Sequence, residues 1–420
     1  MTPSVPLPVD EILEALDLSR AEPGIGFLEA LLDRFNARVP FETATKILRS
    51  AQPLSPEEKP RGPDVFWQDH LDKGAGGTCF ARVAAFGALS SALGFRGRAV
   101  LGRVERDFDH TALLIEHNER LWICDAGFPL PRLVPARGGE VETELGRLSV
   151  SDTDRGFRVR FLEGVPEGPR SLEIFTRELS PGEFDNVWQA TFRPDSRFLA
   201  AVAVRSQTRG RVVSFARGEV RIDDRHTRLV VPLIDERSRR VSDLFQIDRD
   251  LLDQAFAIAG NPPPERADAR LRAFLPWGGA PQDAFDAIAT PSGYRRLLEG
   301  VARIESEEAA PDGWRFRLAP PASSDAAAPG TPAITEEVAP SSDRFELRVL
   351  RHSGATRSET FFRVETLQGE CFLVREAVFS GAREDLLVHD ALRGRLAGAL
   401  AVDLLAWVRL LGTDPQKETG

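Results

Sequence analysis

An α+β fold in at least two units is predicted by three features of the chain. Helical periodicity is confined to the first ninety-odd residues, short alternating runs follow it, and NPPPER at 261–266 separates these from a second series of strands and helices. DEILEALDL and GFLEALLDRFNARV place apolar residues at steps of three and four, giving a small helical region over 1–96. Within DKGAGGTCFARVAAFGALSSALGFRGRAVLGRVE, glycines precede a helix that starts near Thr78 and ends at Gly94, a residue suited to a C-terminal cap. RAVLGRVE, TALLIEH and RLWICDAG read as strands, the last two joined by a tight Asn118-Glu119 turn. GFRVRF, RFLAAVAVRS and GRVVSFARG extend antiparallel sheet to about Ile222, and VSDLFQIDRDLLDQAFAIAG returns to helix within a 223–262 segment.

The second unit spans 267–412. DARLRAFLPW reads as a strand, APQDAFDAIATPSGYRRLLEG as one or two helices, and VARIES and WRFRL as strands around a Pro311-Asp312-Gly313 turn. A stretch rich in Ala, Pro and Ser, about 319–343, reads as a disordered insert. RFELRVLRH, SETFFRVETL and ECFLVREAVF are strands, and AREDLLVHDALRGRLAGALAVDLLAWVRLLG is a long amphipathic closing helix.

Charge and cysteine usage narrow the function. With 54 basic against 64 acidic side chains the net charge is −10, and no long basic run occurs, so nucleic acid and anionic membranes are excluded as partners. No eighteen apolar residues run together and the start lacks a basic region followed by an apolar one, which predicts a cytoplasmic protein. Cys79, Cys124 and Cys371 are too few and too scattered for a disulfide framework or a CxxC metal site, so no metal is expected. A thiol here is either packing or a nucleophile.

Cys79 sits where a nucleophile is favoured. A thiolate, not a thiol, attacks, and the ordinary cysteine pKa near 8.5 has to be lowered by its surroundings. The first turn of a helix offers unpaired N–H groups and the positive end of the macrodipole. Gly76 and Gly77 leave the preceding backbone bare, open to close approach by a substrate carbonyl. His110 follows 31 residues later at the start of TALLIEH, and Asp125 another 15 later, after RLWIC. A hairpin of that length sets the carboxylate beside the imidazole, where it orients the ring and stabilises its charged form. Alone, a helix-start cysteine is usually a small buried hydrophobe; the glycine pair, the residue order and the hairpin spacing together point to a triad of Cys79, His110 and Asp125. Cys124 alternates with Asp125 and is read as packing, as are His70, His117, His226, His352 and His389, either in the core or at the surface.

RVPFE at 38–42, GGTCF at 76–80, DHTALLIE at 109–116 and LWICDAGF at 121–128 resemble the successive signatures of arylamine N-acetyltransferases. FDNVWQATFRPDSRF at 184–198 is similar to that family's barrel segment, so the resemblance covers about 1–262. It implies a cysteine-protease-like acetyltransferase fold: the helical region, an antiparallel β-barrel over 97–222, and an α/β lid over 223–262. It also implies ping-pong transfer of an acetyl or other acyl group from coenzyme A through Cys79 to a small-molecule amine. On that mapping His110 is the general base and acid, Asp125 the orienting group, acetyl-CoA the donor, and Phe41, Phe80, Gly127 and Phe128 contact substrate. An oxyanion donor is needed as well, and the N–H of Phe80 or Gly127 can serve. The chain departs from the family pattern at Thr43, Ala75, Ala81, Val83 and Pro129; arginine is usual at 75, and Glu and Asn at 81 and 83.

The second unit looks like the helix-grip fold of START-like proteins, including the Hsp90-activator type. That resemblance implies an α+β domain enclosing a hydrophobic ligand between its sheet and closing helix. Leu396, Leu400, Leu404 and Trp407 repeat at three or four residues and face the sheet, which core packing alone also explains. Two classes of function fit the whole chain: an acyltransferase using Cys79, or a catalytically silent binding protein. A transglutaminase-like thiol hydrolase or amide synthase shares the triad order, while RVPFE and DAGF favour the acyltransferase.

Overall fold

A computed structural model describes the chain outside residues 1–5, 128–129, 164–170, 181, 261, 300–301, 320–333, 354–355, 368, 381–385, 387–389 and 412–420. Phe128 and Pro129 lie outside the described residues. The chain divides into two compact units: the described residues up to Arg225 with Leu233–Glu265, and His226–Pro232 with the described residues from Arg266 onward.

In the first unit, helices α1 (Val9–Ala15), α2 (Ile25–Arg38), α3 (Ala44–Ala51), α4 (Pro63–Lys73) and α5 (Cys79–Ala92) precede the main sheet, with strand β1 (Phe41–Glu42) between α2 and α3. The sheet then runs β2 (Arg96–Arg103), β3 (Asp107–His117), β4 (Arg120–Cys124), β5 (Val134–Pro135), β6 (Gly139–Thr143), β7 (Gly146–Thr153), β8 (Gly156–Phe161) and β9 (Ser171–Phe175). Spatial order is β5-β4-β3-β2-β9-β8-β7-β6. All its described ladders are antiparallel.

This sheet buries both faces, which explains why TALLIE is a continuous apolar run. Leu113 and Ile115 of β3 pack with Phe80, Val83 and Phe86 of α5, while Ala112 and Leu114 point to the other side. There they meet Val100, Ile123, Val150, Val159 and Ile174 from five other strands in one cluster. Strands at opposite ends of the order can share one cluster only if the sheet curls around it, so the sheet is barrel-like. The helical core on the opposite face is anchored by Phe35, whose ring meets Phe86 at 5.0 Å and Trp67 at 5.8 Å, both edge to face.

After β9 come α6 (Glu183–Ala190), β10 (Val204–Thr208), β11 (Arg211–Ala216) and β12 (Glu219–Asp223). The barrel expected over 97–222 is therefore confined to β2–β9, and FDNVWQA forms helix α6 rather than barrel strand. Its Phe184 and Trp188, four residues apart, pack against Phe80, a helical spacing that strand composition hides. Strands β10–β12 pair antiparallel outside the barrel-like sheet, with β1 against β10. Beyond strand β13 (Thr227–Pro232), which belongs to the second unit, lie α7 (Arg237–Phe245) and α8 (Arg249–Ala259), with the Asp248 side chain capping α8 at the Leu251 N–H.

In the second unit β14 (Ala269–Pro276) pairs with β13. Next come α9 (Pro281–Asp286), α10 (Pro291–Leu297), β15 (Arg303–Ala310), β16 (Gly313–Ala319), β17 (Ile334–Ser341), β18 (Glu346–Ser353), β19 (Thr356–Leu367), β20 (Glu370–Phe379) and α11 (Asp390–Leu410). The antiparallel sheet has the order β13-β14-β20-β19-β18-β17-β16-β15. Strand β17 corrects the insert expected over 319–343: Ile334, Glu336 and Val338 alternate and pair with β16 and β18, although Ala, Pro and Ser dominate the composition around them. Residues 320–333 lie outside the described set. On α11, Leu400, Leu404 and Trp407 are buried and Leu396 half-buried. Trp407 meets Phe362 edge to face at 5.7 Å and donates its indole N–H to the Ala284 carbonyl at 2.8 Å.

Candidate active site

The three triad positions converge within the first unit. Cys79 is the first residue of α5, His110 lies near the start of β3, and Asp125 directly follows β4. The β3–β4 hairpin pairs Leu113 with Cys124 and turns at Asn118 and Glu119, both with positive φ (48° and 60°). Continued by one step, that register sets Asp125 level with Ala112 and diagonal to His110 across the hairpin, and His110 Nε2 donates to Asp125 Oδ2 at 2.7 Å. Both side chains are buried, as is Cys79, and Cys79 hydrogen-bonds to the His110 side chain. With Nε2 committed to Asp125, Nδ1 is the ring nitrogen that serves the sulfur. Burial pulls the imidazole pKa down, but the Asp125 carboxylate and then Cys79 outweigh it, and the value rises from 6.5 to about 10.

Gly127 closes the site from below. Its N–H donates to Asp125 Oδ1 at 2.9 Å, so that donor orients the carboxylate. The candidate oxyanion donor left in the first turn of α5 is the Phe80 N–H. A Cβ at position 127 would lie 2.9 Å from Cys79 Cβ and 2.7 Å from the Thr111 carbonyl oxygen, so only glycine fits. Gly76 is tied to an internal approach: a Cβ there would sit 1.7 Å from the Pro40 carbonyl oxygen. Phe41 forms a bridge with Gly77, whose N–H reaches the Pro40 carbonyl at 3.3 Å. The bare backbone expected to face substrate is thus used to dock the RVPFE segment.

Two arginines that the motif comparison did not single out brace the site. Arg61 is almost fully buried and donates to Asp69 at 2.8 Å, to the Thr45 hydroxyl at 2.9 Å and to the Gly76 carbonyl, with Glu42 at 3.8 Å. It brings a guanidinium to the glycine pair that Ala75 cannot supply. Arg82, also buried, donates to the Ala126 carbonyl at 2.7 Å, the Asn36 side chain at 2.9 Å and the Val39 carbonyl, and lies over the Phe35 ring. It ties α5 to the Asp125–Gly127 turn from between Ala81 and Val83. Thr43 accepts from the Ala203 N–H at 2.9 Å and donates to the Ala201 carbonyl at 2.8 Å. A sequence signal for both arginines existed only in their setting, one arginine inside an apolar helix and one beside Gly62-Pro63.

Among the other expected site residues, Phe80 is buried against Phe184 and Trp188, and Phe41 is half-buried with its ring 5.6 Å from Phe198. The Asp109 carbonyl lies 4.0 Å from Cys79 Sγ, while its carboxylate accepts from the N–H groups of Val104, Glu105 and Arg106. Asp109 and Phe198 help line a cavity of 620 Å³ together with Phe108, Asn186, Thr191 and Arg197. Cys124 is fully buried, and burial first, then Asp125, pushes its thiol pKa well up, consistent with packing. His70 is a core residue: burial lowers its pKa to about 4, and Nδ1 lies 3.1 Å from the Ala75 carbonyl. Among the described residues no cluster of His, Cys, Asp and Glu forms a metal site, and no helix is long and apolar enough to cross a membrane.

Residues 25–150 match the model of a family described as N-acetyltransferase. All four motifs quoted above fall inside that stretch. The fold is similar to arylamine N-acetyltransferase from M. tuberculosis (TM-score 0.52, 16% identity, covering 59% of this chain and 100% of that one). It is also similar to the enzyme from Mycobacterium marinum, solved in complex with CoA (0.52, 16%, 60% and 99%). A third similar structure is arylamine N-acetyltransferase from Nocardia farcinica (0.51, 20%, 59% and 93%). No curated protein matches the chain. At these identities the likeness shows a shared fold over the N-terminal three-fifths.

Proposed function

We propose that the protein is an acyltransferase that carries an acetyl or other acyl group from coenzyme A to a small-molecule amine as a thioester on Cys79. The observation that carries this reading is the buried relay of Cys79 at a helix start, His110, and Asp125 at 2.7 Å from the ring. His110 already holds its proton, at Nδ1 beside the sulfur, and Cys79 attacks the donor's thioester carbonyl as the thiolate half of that pair. The bond from that carbonyl to the coenzyme A sulfur breaks, and the leaving thiolate takes the proton from His110. In the second half the amine attacks the Cys79 thioester, His110 removes its proton, and the carbon–sulfur bond breaks to restore the thiolate. Asp125 fixes the ring's tautomer and offsets its charge. The Phe80 N–H supports the oxyanion, with Phe41, Phe80 and Gly127 around the acceptor.

The resemblance at four motifs and the matched stretch 25–150 favour transfer over the silent binding protein and over hydrolysis. We read the second unit as a START-like helix-grip domain from its order of β14, α9, α10, six strands and α11. A hydrophobic ligand beneath α11 competes there with Leu400, Leu404 and Trp407 for the same space. Initial-rate kinetics test the transfer reading: varying donor at several acceptor concentrations gives parallel double-reciprocal lines for a ping-pong transferase, whereas converging lines contradict a free acyl-enzyme.

A further inference from the structure

Lys46 is the described side chain near the triad that its own fold does not explain. It is 5% exposed and its Nζ has no hydrogen-bond partner. The ammonium lies 4.9 Å from the Phe192 ring centre and 5.6 Å from that of Phe198, a ring that also meets Phe41 and carries the Arg197 guanidinium at 4.8 Å. The acid one turn earlier, Glu42, is already engaged by the Thr45 N–H at 2.9 Å and by Arg61. Burial lowers the Lys46 pKa to about 8, and the charged group acting against that is Cys79. An ammonium kept dry without an acidic partner is unfavourable unless something else supplies the negative charge. Cys79 is equally enclosed, at 5% exposed, so a substrate that reaches the sulfur enters the same surroundings.

We propose that Lys46 binds a carboxylate carried by one of the two substrates, so that the enzyme prefers either a carboxylate-bearing aromatic amine or a dicarboxylic acyl group. This deepens the acyltransfer reading and rests on it. The rings of Phe192 and Phe198 are suited to holding an aromatic acceptor or covering an acyl chain while the ammonium fixes its charged end. Phosphates of coenzyme A are a poorer match, because a strongly hydrated dianion does not follow an acyl group into so dry a place.

The test compares charged and neutral partners on the full chain and on Lys46→Met, which keeps the length and the ring contacts but removes the charge. In the acceptor arm, calorimetry measures binding of 4-aminobenzoate against 4-aminobenzamide. In the acyl arm, intact mass follows acylation of Cys79 by malonyl-CoA against acetyl-CoA. The proposal expects a preference for the carboxylate form of about tenfold or more in one arm, abolished by Lys46→Met and partly restored by Lys46→Arg. Preference in the first arm assigns the carboxylate to the acceptor, and in the second to the acyl group. Equal handling of charged and neutral partners in both arms, or a preference that survives Lys46→Met, overturns it. Failure of both donors to acylate Cys79 counts against acyl transfer, while the binding arm still decides the role of Lys46.

Discussion

His110 gives Nε2 to Asp125 at 2.7 Å and so keeps Nδ1 for Cys79, with all three side chains buried. The pair is linked to stability through protonation. His110 is raised from 6.5 to about 10, so the folded state holds a proton the unfolded state releases first. Its contribution is therefore fully present below about pH 6.5 and is lost as pH rises toward about 10. The stability difference between wild type and His110→Gln, from urea melts at about pH 6, 8 and 10, should be largest at the lowest pH and shrink upward. A difference that grows with pH contradicts the assignment.

Arg82 joins α5, Val39 and the Ala126 carbonyl, and its loss strands three buried acceptors. Arg82→Met should destabilise the first unit by about 3 kcal/mol. Acylation of Cys79 should fall by more than the folded fraction does, because the Asp125–Gly127 turn is released. Urea melts and acylation rates on the folded protein check this pair of outcomes.

Gly127→Ala places a methyl 2.9 Å from Cys79 Cβ and 2.7 Å from the Thr111 oxygen. Backbone must shift, at a cost of about 1–3 kcal/mol. The Asp125–His110 geometry shifts with it. The expected result is a folded protein with its acylation rate reduced about a hundredfold; wild-type rates in a folded variant contradict the packing described.

Lys46→Met should do the opposite to stability. It removes a buried, unpaired ammonium while retaining the contacts with Phe192 and Phe198, for a gain of about 1–2 kcal/mol after the lost cation–π attraction. A rise in thermal midpoint supports a residue kept for function at the expense of stability.

The convergence of Cys79, His110 and Asp125 was legible because each carries a local signal: glycines and a helix start for Cys79, a strand start for His110, and a turn residue at hairpin distance for Asp125. The four motifs and most strand positions were legible for the same reason. The braces were not, because Arg61 and Arg82 act across tertiary distance on carbonyl groups, which leave no side-chain pattern in the sequence. Gly76 and Gly127 were recognisable as special, but what approaches them is a neighbouring segment of chain, visible only after folding. Composition misled at FDNVWQA, whose aromatic spacing is helical, and at ITEEVAPS, where proline and alanine mask alternation. Lys46 was hidden by its place in a short helix that otherwise reads as ordinary.

Acyl transfer through Cys79 is tested most directly by the mass of the intact protein after brief exposure to acetyl-CoA, with peptide mapping of any adduct. A single acetyl group is expected on Cys79, absent in Cys79→Ser and His110→Gln, and discharged when an aromatic amine is added. No adduct on a reduced and alkylatable Cys79, from acetyl-CoA or from another acyl-CoA, contradicts it.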